Sequence, residues 1–430
     1  MRRSCWRRYA PRVPPWSVRR RVARTARAPT SPGCVNGSDP SGSGGPPLAS
    51  LRVSSPVLSV RPIDAATHVG HLRSLPAASF LQTPAWGQVK TDWRPESLGW
   101  FDGGRLVGVA LVLHRALPRL GRTLAYLPEG PVIDWAGAAQ SGSLAAWLDP
   151  MTAHFRSQKA FAVRMGPPVV TRRWEAATVK KAVADPALSR LGAVPADAAE
   201  DTGTAVVEHL RGAGWRLQTA DGGGFTAGQP QYVFQVPMAG RDEDALLAAM
   251  NQQWRRNIKK AAKEGVEVHT GDRADLASFH ALYAETASRD GFTPRPLPYF
   301  QLMWDALSAE DPDRIRLYLA EHEGDLVAAT TLVRVGEHAW YSYGASSAAK
   351  REVRGSNAVQ WQMMRDARAA GATVYDLRGI TDTLDEADPH VGLVQFKVGT
   401  GGEAIEYAGE WDLPLNGVLY RAFDLYMRRR

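Results

Sequence analysis

"LGWFDGGRLVGVALVLHRALP" at residues 98–118 and "LYLAEHEGDLVAATTLVRVGE" at 317–337 follow one pattern: an apolar run, a glycine-bearing turn, and a second apolar run. Each reads as strand, tight turn, strand, with "GRLVG" and "GDLVA" aligned 220 residues apart. The correspondence continues downstream. "TLAYLPEGPVIDW" leads to a helical "SLAAWLDPMTAHFRSQKA" and a strand "FAVRMGPP", while "AWYSYGASS" leads to "SNAVQWQMMRDARAAGA" and "TVYDLRG". Upstream, "RADLASFHALYAETASRDGF" predicts a further helix, with "DAATHVGHLRSL" as its counterpart. A repeat of this order restricts the chain to an α+β fold with two mixed-sheet domains side by side, and a cleft between them is the default binding site.

Composition has to be divided before it informs. Of 52 basic and 44 acidic residues, ten Arg and one Asp lie in residues 1–50, leaving 42 basic against 43 acidic in the other 380. The alkaline pI therefore belongs to a tail. That tail is rich in Arg, Pro, Gly and Ser without apolar periodicity, so it is expected to be disordered. It is either an arm for RNA or anionic lipid, or an upstream extension of the reading frame, and no apolar run follows its arginines as a secretory signal requires. Both cysteines, Cys5 and Cys34, lie in it, so the body has no thiol nucleophile, disulfide or thiolate metal site, as a reducing cytosol permits. No run approaches 18 apolar residues.

One local charge cluster stands out. In "NQQWRRNIKKAAKEGVEV" (251–268), Leu247, Met250, Trp254, Ile258 and Ala261 fall on one side of a helix, and Arg255, Arg256, Lys259, Lys260 and Lys263 on the other. Asp242, Glu243 and Asp244 suit its start and Gly265 its end. Between Asn251 and Gly265, Glu264 is the only acid, so the face is either solvated surface or a contact for phosphate or nucleic acid.

"SFLQTPAWGQVKTDW" (79–93), "YLPEGPVID" (126–134), "WRRNIKKAAKEGV" (254–266), "YSYGASS" (341–347), "VYDLRGI" (374–380) and "LVQFKVGTGGE" (393–403) resemble, in order, the signature segments of the Fem family of peptidoglycan-bridge aminoacyltransferases. The resemblance implies two tandem acetyltransferase-like (GNAT-like) domains: residues 51–230, completed by 405–430, and residues 231–404. It also implies an aminoacyl-tRNA donor, with glycine the usual cargo. The acceptor it implies is lipid II or its UDP-linked muropeptide precursor. No cofactor and no metal would be needed, and a monomer working in the cytoplasm, with peripheral contact at the inner membrane face, would suffice.

An aminoacyl ester is already activated, so transfer to an amine needs orientation, a deprotonated amine and a place for the oxyanion. By resemblance, Lys397 in "QFKVG" serves the oxyanion or the terminal phosphate of the tRNA; on pattern alone it is a polar position in a strand. Asp134 in "GPVID" is the candidate to hold or deprotonate the amine, or else a turn cap. Lys90 and Arg256 would grip the acceptor's pyrophosphate, with Tyr126, Tyr341 and Tyr343 bonding or stacking, unless these tyrosines are core. Arg255, Lys259, Lys260 and Lys263 would meet the tRNA backbone.

Departures from the family pattern are also legible. Glu129 in "PEGP" stands where many members have a basic residue. The region 236–300 is too short and too broken by "FTPRPLPYF" for the helical hairpin that some members insert. The G-x-G-x-x-A in "DGGGFTAGQ" lacks the helix a dinucleotide site needs. The alternatives are an acyl-CoA-dependent N-acyltransferase, for which "KREVRGSNAV" makes a poor pyrophosphate cradle, and a non-catalytic RNA-binding protein. No G-x-S-x-G, H-E-x-x-H, Walker A or clustered metal-ligand set is present. "EWDLPLNGVLYRAFDLYMRRR" predicts a last amphipathic helix with a basic end, folded on the first domain or lying on a membrane surface.

Overall fold

The computed structural model describes residues 57–117, 120–218, 228–385, 387–388 and 390–428, so the tail of residues 1–50 and most of "DGGGFTAGQ" lie outside it. The repeat is real in three dimensions. In the first half, strands Arg94–Asp102, Arg105–Leu117 and Arg122–Leu127 run antiparallel, helix Leu144–Ser157 follows, and strand Ala160–Met165 returns parallel to Arg122–Leu127. In the second half, Ile315–His322, Asp325–Val335, His338–Ser346, helix Gly355–Ala369 and strand Val374–Ile380 repeat that order and those directions. The hairpin turns match: Gly103 and Gly104 have φ of 53° and 90°, Glu323 and Gly324 of 53° and 82°. Two successive positive φ angles are the type I′ signature, whose twist suits a two-residue hairpin. Even the irregularities are copied, with register shifts after Trp100 and after Ala320, again 220 residues apart. Helices Ala65–Arg73 and Leu276–Asp290 occupy their expected places.

The strands form two mixed sheets, of seven and nine. Sheet membership does not follow a single cut at residue 230. Strands Val170–Glu175 and Ala198–Ala199 pair in the second sheet, and Glu403–Tyr407 beside them. Strand Trp411–Pro414 goes to the first sheet, between Ala160–Met165 and Arg216–Leu217, as the resemblance implied for the C-terminal segment. Residues 160–175 and 403–414 thus form a two-stranded antiparallel ribbon that belongs to one sheet at one end and to the other sheet at the other end. The reason is pairing arithmetic: each ribbon strand supplies the main-chain partners of the other across the seam, so neither sheet gains an open edge there.

Side chains close the same seam. One apolar cluster includes Phe80, Leu81, Trp86 and Val89 of the first half with Phe279, Phe300, Leu317 and Trp340 of the second. The ring of Phe80 meets that of Trp340 edge-on at 5.3 Å, and Glu310 Oε1 accepts from the Ala85 amide at 2.9 Å.

The halves differ in one respect. Thr123–Leu127 pairs with its parallel neighbour along its length, whereas His338–Ser346 pairs with Val374–Ile380 only at His338, Ala339 and Trp340. Beyond that point the two strands no longer pair, while Val374–Ile380 keeps its antiparallel partner Tyr232–Pro237 on its other side. A wedge therefore opens in the second sheet, and it faces the first-half segment around Glu129.

Trp411 anchors the ribbon. It is 1% exposed in the first core cluster, with Nε1 donating to Ala408 O at 2.8 Å. Trp411→Ala is expected to cost about 3–5 kcal/mol, read by denaturant unfolding.

Candidate functional site

Lys397 is not on a strand. Residues 391–398 form a helix, and Lys397 points inward from its last turn, 4% exposed. The strand alternation fails because the following "GTGG" run docks helix and sheet too closely for one: a Cβ on Gly399 would stand 2.2 Å from Trp254, and one on Gly402 would stand 2.0 Å from Gln235 O. Lys397 Nζ donates to Gly379 O at 2.6 Å and to Arg378 O at 3.3 Å. Burial pushes its pKa down to about 7, with Arg378 adding to the depression and Asp376 opposing it. An ammonium has three N–H donors, and two are engaged here. Among the described residues nothing accepts the third, which can serve an incoming oxygen.

The carbonyls that hold Lys397 come from a strained turn. Arg378 has φ of 63°, a left-handed conformation costly for an L residue. Its amide donates to Asp376 Oδ1, and its guanidinium reaches the first half, where Nη1 lies 2.9 Å from Glu129 Oε1. Glu129 is itself left-handed, at φ 49°, and its other oxygen accepts from Ser79 Oγ at 2.6 Å. The acid in "PEGP" thus serves as the counter-charge of Arg378, not as a phosphate ligand. Arg378 Nη2 also donates to Gln229 Oε1 at 3.3 Å, and Gln229 Nε2 to the Tyr126 hydroxyl at 3.1 Å. Burial and the nearby Glu410 carboxylate raise the Tyr126 pKa. Burial alone would raise Asp376 too, but His338, Arg378 and Gln235 hold it below the usual carboxylate value.

Lys90 sits at the other end of the same seam. It ends helix Pro84–Val89, with Nζ 4.5 Å from the Trp86 ring and 5.6 Å from that of Tyr299. Burial, and then Arg295, lower its pKa to about 8. The Tyr299 and Tyr343 hydroxyls are 3.0 Å apart. Trp86 meets Phe80 at 5.2 Å, and Arg378 lies 5.6 Å over Phe80. Lys90, Tyr343, Tyr126 and Lys397 are therefore linked by one chain of contacts along the seam. Tyr341 is packed against the second-half core, and burial pushes its pKa up to about 12.

Two other expected residues lie apart from that chain. Asp134 is exposed and caps helix Trp135–Gln140, with Oδ1 accepting from the Gly137 amide at 2.8 Å. Arg256 is exposed on the basic helix. That helix is also shorter than its periodicity suggested. Met250 is extended, and Asn251 accepts from the Trp254 amide, so Glu243–Ala249 and Gln252–Lys263 are separate helices. Gly265, at φ 80°, closes the second helix as expected. Arg255 turns back to Ala248 O and Met250 O. Among the described residues, Arg256, Lys259, Lys260 and Lys263 have no carboxylate within ion-pair distance. Trp254 fastens this cationic helix to the Lys397 helix, donating from Nε1 to Phe396 O at 2.9 Å.

Sequence reasoning passed over Arg378, Asp376 and Gln229. "VYDLRGI" had been singled out as a segment, but nothing in it marks Arg378 as the partner of an acid 249 positions away. Arg295 and Tyr299 sat unnoticed inside "FTPRPLPYF", which reads as a helix breaker.

The model of the FemAB family matches residues 63–323 and 315–428. The chain belongs to the FemAB family. Among curated relatives, the lipid II:glycine glycyltransferases of Staphylococcus aureus strains MRSA252 and USA300 are each 26% identical over 431 residues, an alignment that covers 83% of this chain and 93% of theirs. The crystal structure of FemX superposes with a TM-score of 0.71 at 24% identity, over 85% of this chain and 99% of that one. This FemAB member therefore shares the fold of FemX, and the α+β reading with two mixed sheets stands.

Because Lys397 titrates near 7 when folded and near 10.5 when unfolded, the unfolded chain binds more protons between those values. Wild-type stability measured against Lys397→Met is expected to be flat below pH 7 and to rise from there to about pH 10, in urea titrations of both proteins.

Proposed function

We propose that this FemAB protein moves an amino acid from aminoacyl-tRNA to the side-chain amine of a peptidoglycan stem peptide, and that glycine is the cargo. The observation that carries the reading is the packing of two elements: the helix with unpaired cations is bolted by Trp254 to the helix that buries Lys397. A polyanionic donor held on the first would bring its acyl end toward the second. The curated relatives' printed activity, lipid II:glycine glycyltransferase, supports the same cargo and acceptor class.

In this reading the acceptor amine attacks the ester carbonyl, and the carbonyl oxygen becomes an oxyanion. The remaining N–H of Lys397 stabilises it, while Gly379 O and Arg378 O hold the ammonium in place. Collapse expels the ribose oxygen, which takes up the proton that the attacking amine gives up as it becomes an amide. Asp134 keeps Oδ2 outside its capping bond to Gly137, and we assign that oxygen to the acceptor amine. Lys90, with Arg295 near it, takes the acceptor's pyrophosphate, and Tyr126, Tyr341 and Tyr343 line its path. Lys259, Lys260 and Lys263 contact the tRNA backbone; Arg255 is turned toward main-chain carbonyls and contributes less. An acyl-CoA donor fits poorly. The loop before helix Gly355–Ala369 reads "KREVRGSNAV", with a single glycine and the bulky Arg354 beside it, a poor cradle for a CoA pyrophosphate.

The test is transfer of labelled glycine, alanine or serine from charged tRNA to lipid II or its UDP-linked precursor, with an RNase control and a parallel acetyl-CoA reaction. Label in the muropeptide that RNase abolishes is the expected outcome; acetyl-CoA consumption without it would sink the proposal. Lys397→Met is expected to lower kcat by about 10²–10³. Changing Lys259, Lys260 and Lys263 together to Gln should weaken tRNA binding and flatten its dependence on log salt by about 2, measured by filter binding across a salt series.

A further inference from the structure

The last helix, Gly417–Arg428, is apolar on two sides, where its sequence had suggested one. Leu419, Tyr420 and Phe423 face inward and pack on Leu124 and Phe161, with the Phe161 and Phe423 rings 5.3 Å apart. The opposite face is not covered: Val418 is 79% exposed and Leu425 50%, with Tyr426 on its flank at 52%. At 100° per residue, Val418, Ala422 and Leu425 form one stripe. Leu120, 56% exposed, projects from the adjoining hairpin, whose Leu117 packs in the same cluster as Leu419 and Phe423. Val418, Leu425 and Leu120 are thus exposed on two elements whose inward residues share that one cluster. The rest of the surface follows the ordinary rule of scattered apolar residues, and a gathered patch marks a contact.

Charge decides the partner. Arg421 flanks the stripe on the helix, Arg122 adjoins Leu120, and the chain continues as Arg428, Arg429 and Arg430; Asp424 is the single acid of residues 417–430. A second copy docked through the same face would set guanidinium groups against guanidinium groups across the symmetry axis. An anionic bilayer is complementary instead: the apolar stripe enters the headgroup boundary and the arginines reach lipid phosphates. Among the described residues no helix is long and apolar enough to cross a membrane, so the contact is one of lying on the surface.

We propose that the outer face of helix Gly417–Arg428, together with Leu120, is a docking surface for an anionic lipid bilayer. It rests on this patch alone and stands whatever reaction the seam performs. The test uses the full chain, with vesicles of phosphatidylcholine alone and of phosphatidylcholine with phosphatidylglycerol, sedimented at one salt concentration so that the Arg-rich residues 1–50 contribute equally to parent and variants. Val418→Ser/Leu425→Ser is expected to lower partitioning onto the anionic vesicles about tenfold, with an unchanged melting temperature, because both side chains are exposed. Arg421→Glu should lower partitioning onto the anionic vesicles and leave the neutral ones unaffected. Equal partitioning of the parent and the double serine variant would overturn the proposal. So would a parent that dimerises in sedimentation velocity while the double variant does not, since that result would assign the patch to a second copy.

Discussion

The Glu129–Arg378 ion pair is the interaction on which the seam depends. It joins the two sheets, and both members adopt left-handed backbone conformations to make it. Buried pairs of this kind are no strong source of net stability, but removing one partner strands the other charge in a place that water hardly reaches. What the pair supplies is position. Held by Glu129, Arg378 presents its carbonyl, and that of Gly379, to Lys397. Lys397 in turn lies on the helix against which Trp254 seats the cationic helix. A displacement at Glu129 would therefore be transmitted, contact by contact, to the surface that faces a polyanion.

Burying an amine is costly, and the fold meets that cost with carbonyls, not with a direct salt bridge. Asp376 lies near enough to favour the charged form, while Arg378 opposes it. The amine is left poised near neutrality. A fully solvated lysine would be a firm cation with little power to change state, and one paired directly with a carboxylate would have its donors occupied. The engineering lies in the main chain, through the tight glycine run 399–402 and the left-handed turn at 378, more than in the identity of any neighbouring side chain.

Much of this was legible in advance. The doubled hairpin, its tight glycine-bearing turns and the order of the elements that follow were readable because glycine and apolar periodicity report backbone conformation directly. The cap at Gly265 and the inward face of Trp254 were readable for the same reason. What could not be read was anything set by partners distant in the chain: the assignment of strand Val170–Glu175 to the second sheet, the pairing of Glu129 with Arg378, and the burial of Lys397 on a helix. "QFKVG" looks like a strand until the close approach of Gly399 to Trp254 is known. Asp134 illustrates the opposite case. The sequence offered it as a turn or strand-end cap, and the structure shows it capping the short helix Trp135–Gln140, which leaves any part in the chemistry to its second oxygen.

The shared ribbon also governs the order in which the protein can be made. Arg164 is held by Asp412, 248 positions later, and the strand that carries Asp412 lies inside the first sheet, not at its edge. At about 5–20 residues per second, a ribosome needs on the order of ten to fifty seconds to travel from one to the other. For that interval, strand Ala160–Met165 lacks its partner and presents an apolar, unpaired edge. The N-terminal half of this chain is therefore no self-sufficient folding unit, and its exposure to aggregation ends only when strand Trp411–Pro414 has left the ribosome.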